Sequence, residues 1–339
     1  MHSDELSELD LALVNALQIA PRVSWSQAGR ILGTSAQTLA ARWDRLRCSG
    51  AAWVTVHPGG AYRDHVTALV EVDCGTAQLD RIVRDFCADP RVVTVEESTQ
   101  GYALLLTVMT ADMGQMSEFL VDHLGAMSGI VRRRTYLATA VHHDGSAWRL
   151  DVLDKSQRRS FESLAGVSRP TGVPAVVKNA WPMIEALAVD GRRTAADIAE
   201  HTGRNPATVR RTLPRLLASG MVSVRCEIAQ SASRRPLSCT WRGRIAADDE
   251  ARTVAALRTL PNLRLCMSTT GDANLLITVW TANLAEILTT ERLLGAKLPW
   301  LDLRDSGINL RTTKRLGWLL DRDGRATGQI VIPNALQGR

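Results

Sequence analysis

Laid over itself so that Ala16-Leu17 lands on Ala186-Leu187, the chain repeats at one constant offset. Arg22 then falls on Arg192, Gly33 on Gly203, Thr38 on Thr208, Arg45-Leu46 on Arg215-Leu216 and Ser49-Gly50 on Ser219-Gly220. Gly101 lands on Gly271, Leu105-Leu106 on Leu275-Leu276, Leu124-Gly125-Ala126 on Leu294-Gly295-Ala296, and Trp148 and Asp151 on Trp318 and Asp321, with a one-residue slip near Pro90 and Pro261. One offset held across a whole unit signals duplication, so any fold is expected to be built twice. The seam is expected within 157–178, where QRRSFESLAGVSRPTGVPAVVK has turn residues and little periodicity.

Each half opens with three short helical patterns. In the first, Leu9, Leu13 and Leu17 recur at helical spacing, Ser24 opens a second helix that stops at Gly33, and Ser35 caps a third whose buried stripe is Leu39, Trp43 and Leu46. In the second half Asn205 is the cap, Pro206 takes the first helical position, and Val209, Leu213 and Leu216 form the stripe. Pro214 lies inside that helix and is expected to bend it or limit it to its first turns. A β-prone run follows each third helix, 52–56 and 222–226. Helices across a tight glycine turn with a strand-like wing describe a winged helix-turn-helix. The remainder of each half reads β-α-β-β-α-β, with strands at 66–72, 92–96, 103–110 and 130–141, then 237–242, 263–269, 274–280 and 300–310. The fold class is therefore α+β: two copies of a winged helix-turn-helix followed by a ferredoxin-like domain. The expected boundaries are 1–62, 63–145, a linker over 146–178, 179–232, 233–325 and a tail over 326–339.

Charge separates these modules. Residues 20–63 hold six Arg against one acid, and 190–235 hold nine Arg against four, whereas 66–130 hold ten acids against three Arg. The basic surplus follows the helix-turn-helix segments, as phosphate contact requires, although a solvated arginine-rich face would look the same. Across the chain, 41 Lys+Arg against 35 Asp+Glu leave the 339 residues at +6, compatible with a polyanionic partner. The acidic start MHSDELSELD lacks the apolar core of a secretory signal and no apolar run is long enough to span a bilayer, so a cytoplasmic location and no membrane contact are expected. Cys48, Cys74, Cys87, Cys226, Cys239 and Cys266 contain no CxxC pair and are expected to be reduced, and no metal or cofactor is expected. No Ser/His/Asp set or pair of carboxylates stands out, so no catalytic residue is assigned.

With these modules in order, the chain resembles the family of the leucine-responsive regulatory protein and AsnC. The resemblance is carried by Leu13 to Arg22, by SAQTLAARWDRLRCSG at 35–50 and by TQGYALLL at 99–106. It implies a transcription regulator whose ferredoxin-like domain binds a small effector, an amino acid or other metabolite, and assembles homodimers or higher oligomers. This chain looks like a tandem version. Ser35, Gln37, Thr38, Arg42 and Arg45 are the candidates to enter one major groove of double-stranded DNA, and Asn205, Thr208, Arg210, Arg211 and Arg215 a second. The first, uninterrupted helix is expected to carry more of the specificity. The family favours a Gly followed three residues later by Asp near the effector's amino group; Leu104 and Asn274 stand in that place here. The effector candidates are Gly101, Tyr102, Thr270, Gly271, Asp272 and Asn274, with the response expected in the second half; the glycines suit a tight hairpin turn equally well. The alternative is an enzyme resembling siroheme decarboxylases, which share this domain pair and use basic residues, notably His, around a tetrapyrrole propionate; TQGYALLLTV and TGDANLLITVW carry no His.

Overall fold

Capping boxes start the helices. In the computed structural model, which describes residues 6–59, 65–99, 101–166 and 177–337, Ser7 accepts from the Asp10 amide while Asp10 takes the Ser7 amide, opening α1 (Glu8–Ile19). Ser24 and Gln27 do the same for α2 (Trp25–Leu32), which Gly33 closes at φ 69. Ser35 caps α3 (Ala36–Cys48), whose Leu39, Trp43 and Leu46 are buried. The chain continues as β1 (Ala52–Pro58), β2 (Val66–Cys74), α4 (Leu79–Ala88), β3 (Val92–Ser98) and β4 (Leu104–Thr110). Next comes α5 (Met113–Ser117), continuous through a π-helical stretch (Glu118–His123) with α6 (Leu124–Ala126), then β5 (Ile130–His143). This is the expected order.

The stretch expected to be a plain linker is partly helical. α7 (Lys155–Gly166) buries Phe161 and lays Leu164 on the core of α1 to α3, which also takes in Trp148 and Leu153. Asn15 accepts the Val152 amide at 3.0 Å and Gln18 the Leu150 amide at 2.9 Å, so the connector is hydrogen-bonded to α1 before α7 begins. Phe161 and Leu164 stand among polar neighbours and are too few to read as a stripe, which is why periodicity missed this helix. Residues 167–176 of the expected seam lie outside the described residues.

From α8 (Trp181–Val189) the order of elements recurs: α9 (Ala195–Thr202), α10 (Pro206–Ala218), β6 (Val222–Ile228), β7 (Leu237–Arg244), α11 (Glu250–Leu257), β8 (Leu263–Thr269), β9 (Leu275–Thr281), α12 (Leu284–Lys297) and β10 (Asp302–Arg315). Gly203 closes α9 at φ 64, as Gly33 closes α2. Pro214 does not end α10. The helix runs through it to Ala218 because the ring lies on the exposed face, where the Arg210 carbonyl it deprives of a donor can be solvated. The segment expected as a tail holds β12 (Ala326–Ile330), which pairs with β11 (Trp318–Leu320) as an extension of β10.

The runs expected as separate wings pair with each other. β1 and β6 form an antiparallel ribbon from Ala52 opposite Ile228 to Pro58 opposite Val222, with Thr55 opposite Arg225 at its centre. Every residue of β1 is buried, which explains an apolar run without alternation. β5 pairs first with β2 and then, from Ala138, with β8; β10 pairs first with β7 and then with β3. The order β10-β3-β4-β2-β5-β8-β9-β7 therefore returns to β10. Leu69, Leu105, Met267 and Leu276 pack together inside this closed circuit, with Tyr102 and Tyr136, while the helices cover the other faces through Phe86 and Phe119 on one side and Leu257 and Leu294 on the other.

Candidate functional sites: two helix-turn-helix heads and a cleft

On α3, Gln37, Thr38 and Arg45 are exposed, and the Ser35 and Thr38 hydroxyls lie 2.8 Å apart. Arg42 turns back instead. Its guanidinium donates to Asp10 at 2.9 Å and to the Ser7 hydroxyl at 3.1 Å, and Arg45 reaches the same carboxylate at 3.3 Å. Burial works to raise the Asp10 pKa, but hydrogen bonds from Ser7 and Arg42 outweigh it and hold the carboxyl below its ordinary value. On α10, Thr208, Arg210, Arg211 and Arg215 are exposed, and those three arginines form no ion pair among the described residues. Asn205 is occupied as the cap, accepting the Ala207 amide at 2.9 Å. The two faces therefore differ: Arg42 and Arg45 of α3 are drawn to Asp10 and Arg47 to Asp190, whereas Arg210, Arg211 and Arg215 of α10 have no such partner among the described residues.

The two three-helix segments are clasped. Arg22 donates to the carbonyls of Gly191 and, at 2.8 Å, Arg193; Arg192 donates back to Pro21 at 2.5 Å and Val23 at 2.8 Å while lying 3.9 Å over the Trp25 ring. Burial, and secondarily Arg22, pushes the Arg192 pKa down to about 10. This reciprocal exchange was visible in the sequence only as two arginines at one offset. Below the ribbon lies a second feature that sequence reading missed. Glu227, 1% exposed, pairs with Arg225, with Arg264 at 2.6 Å and with Arg315 at 3.8 Å, and Arg264 stacks 4.1 Å from the Trp280 ring. Burial opposes ionisation, yet the three guanidiniums hold the Glu227 pKa at about 2. Arg22, Arg192 and Arg225 thus belong to the frame, so part of the basic surplus counted for DNA does not face solvent.

The effector candidates separate. Gly101 and Tyr102 line a cleft of about 460 Å³ with Glu71, Asp73, Thr99, Arg132, Arg133, Arg134, Arg242, Asp305 and Ser306. Its floor is Arg242, held by Glu71 and Asp305 and donating to the Tyr136 hydroxyl at 2.8 Å. Burial, ahead of nearby carboxylates, pushes the Tyr102 pKa up. Thr270, Gly271, Asp272 and Asn274 do not line this cleft. Asn274 accepts the Ile245 amide and donates to the Ile245 carbonyl, both at 2.9 Å, so its side chain ties β9 to the end of β7. Thr270 is bonded to Leu137 through both its amide and its hydroxyl, the Asp272 carbonyl takes Arg244, and Gly271 adopts φ 110 beside the Tyr136 ring. These four shape the turn and anchor it to β5. Elsewhere Ser268 lies 2.8 Å from His142 Nε2 and donates to Glu250, but Glu250 also approaches Nε2, at 3.3 Å, so His142 is not oriented from its other nitrogen as a catalytic base would be.

Residues 6–47 match the AsnC-type helix-turn-helix domain, and residues 67–147 the Lrp/AsnC ligand binding domain. An uncharacterized HTH-type transcriptional regulator of Pyrococcus horikoshii is 26% identical over 148 residues, 42% of this chain and 92% of that protein. The HTH-type transcriptional regulator FL11 of Pyrococcus furiosus is 23% identical over 141 residues, 41% of this chain and 93% of that one. A crystal structure of the siroheme decarboxylase NirDL covers 91% of this chain and 93% of its own at a TM-score of 0.53 and 13% identity, which is a likeness of fold.

Proposed function

We propose that the chain is a sequence-specific DNA-binding transcriptional regulator of the leucine-responsive/AsnC type in which two helix-turn-helix and ferredoxin-like units are fused, so that one chain presents two reading heads. The carrying observation is that α3 and α10, both with exposed polar and basic residues, are held on one frame by the β1–β6 ribbon and the Arg22–Arg192 clasp. Such a frame sets one spacing between two groove-binding helices. Gln37, Thr38 and Arg45 of the first head and Thr208, Arg210, Arg211 and Arg215 of the second are the groove-facing set, with Ser35 and Asn205 at the helix starts and Arg42 a positioning residue. The effector reading moves to the cleft at Gly101 and Tyr102. A decarboxylase of the alternative kind would use basic residues, notably His, at its anionic groups; among the described residues that line the cleft the basic ones are Arg132, Arg133, Arg134 and Arg242, and none is His.

The test is selection of bound genomic fragments by the purified full chain, followed by titration over a range of salt. Two half-sites at one preferred spacing and a steep salt dependence are expected. In Arg22→Ala/Arg192→Ala the spacing preference should broaden while each half-site is retained. No binding to any selected duplex at low salt would overturn the reading.

A further inference from the structure

The two groove helices present unlike chemistry at matching places. On α3 the buried stripe of Leu39, Trp43 and Leu46 turns Gln37, Ala41 and Asp44 outward, with Arg45 beside them, and all four are exposed. On α10 the stripe of Val209, Leu213 and Leu216 does the same for Ala207, Arg211 and Pro214, with Arg215 beside them. The offset that lays Gly33 on Gly203 lays Gln37 on Ala207, Ala41 on Arg211, Asp44 on Pro214 and Arg45 on Arg215. Only the last pair is alike, and Arg45 is drawn to Asp10 at 3.3 Å. The side chains of Gln37, Asp44, Arg211 and Arg215 have no partner among the described residues. The outward side of α3 thus offers acceptors, the Gln37 carbonyl oxygen and the Asp44 carboxylate, together with the Gln37 amide donors. That of α10 offers guanidinium donors alone. In the major groove adenine shows one acceptor and one donor, cytosine a donor, and guanine two acceptors.

We propose that the chain recognises a non-palindromic duplex with two chemically unlike half-sites. Under α3 lies a half-site with adenine, read by Gln37, and Asp44 favours a cytosine amino group beyond it. Under α10 lies a half-site with guanine, read by Arg211 and Arg215. This rests on the regulator reading and adds the class of DNA sequence to it. A palindrome would put the wrong bases under one head. Adenine N6 would point a donor at the donor-only face of α10, and a guanine pair would leave the Asp44 carboxylate without its donor. The heads cannot trade places, because each is one half of the same chain and the β1–β6 ribbon and the Arg22–Arg192 clasp join them. The bound sequence therefore has a direction.

The test is selection from a randomised duplex library by the purified full chain, repeated with Gln37→Ala and with Arg211→Lys/Arg215→Lys. The parent chain should enrich two unlike half-sites, one adenine-bearing and one guanine-bearing. Exchanging the key base pair of either half-site should weaken the parent about tenfold or more. Gln37→Ala should become indifferent to the exchange in the adenine half-site and keep its response in the other. The lysine variant should do the reverse while keeping the salt slope of the parent, because the charge stays and the two-pronged donor geometry goes. All three residues are exposed, so the thermal midpoints should match that of the parent. A palindromic motif, or two variants that alter the same half-site, overturns this inference and leaves the regulator reading standing. Enrichment of no duplex at low salt overturns the regulator reading and this inference with it.

Discussion

Arg42 shows how one ion pair reassigns a residue. Its position on α3, the helix proposed to enter the groove, suits base contact, but the buried Asp10 carboxylate at the start of α1 claims it. Removing the guanidinium leaves that carboxylate short of a charged donor. Arg42→Ala should therefore cost about 1–3 kcal/mol of folding stability and weaken all DNA sequences by one factor, with no change in base preference. Urea unfolding and competition between specific and random duplexes measure the two effects; a changed preference would return Arg42 to the reading surface. His57 supplies a pH test. Burial, reinforced by Arg225, pushes its pKa down to about 4 against the opposing pull of Asp144, Pro58 and Glu227. The unfolded chain takes up this proton near pH 6.5 while the folded chain resists until about 4, so stability falls as pH drops through that window, by about 3 kcal/mol in all. The carboxylates Asp144 and Glu227, held at about 2, act lower. Between pH 6.5 and 5 the urea midpoint should fall in the parent chain and flatten in His57→Gln; an equal slope in both would exclude His57 as the cause.

Among the elements, α10 carries an avoidable cost. Pro214 removes the donor that the Arg210 carbonyl would otherwise receive, yet the helix persists because Val209, Leu213 and Leu216 are buried against α8 and α9. Pro214→Ala should stabilise the chain by about 1–3 kcal/mol, read as a raised thermal midpoint, and leave the fold unchanged. A lowered midpoint would mean that the ring makes a contact worth more than the lost bond. The same competition between local rule and packing governs β1. Its run of buried residues, AWVTVHP, has the composition of a strand covered on both faces, and β6, from the other half of the chain, supplies the missing edge.

Over the whole molecule, the two halves meet through unlike charges. Glu71 lies opposite Leu105 on β4 and Arg134 on β5; Arg242 lies opposite Leu276 on β9 and Asp305 on β10. By strand pairing, Glu71 and Arg242 thus hold equivalent places in the two halves, as do Leu105 and Leu276, and Arg134 and Asp305, one residue off the sequence register that laid Leu105 on Leu275. In the first and last of these pairs the charge is reversed. Glu71 and Arg242 then pair across the interface. Two identical halves would bring Glu71 to face Glu71, so the pattern favours pairing of unlike halves within the chain. Glu71→Arg alone should cost about 3–5 kcal/mol, and Glu71→Arg with Arg242→Glu should restore much of it. If the double variant were no more stable than the sum of the single losses, the pair would not act as a unit.

The sequence by itself determined the local elements and their order, because caps, glycine stops and apolar periodicity act over a few residues. Ser7, Ser24, Ser35, Thr194 and Asn205 each start a helix, and Gly33 and Gly203 each end one. It also placed a turn at Gly101; the cleft beside it belongs to the tertiary structure. Tertiary structure alone decided which strand would cover β1, that Arg22 and Arg192 would exchange carbonyls, and that Asn274 would be consumed by Ile245. Each of these depends on partners that lie in another element, far along the chain. A charged or amide side chain carries no local sign of whether a distant backbone, a distant carboxylate or solvent will satisfy it.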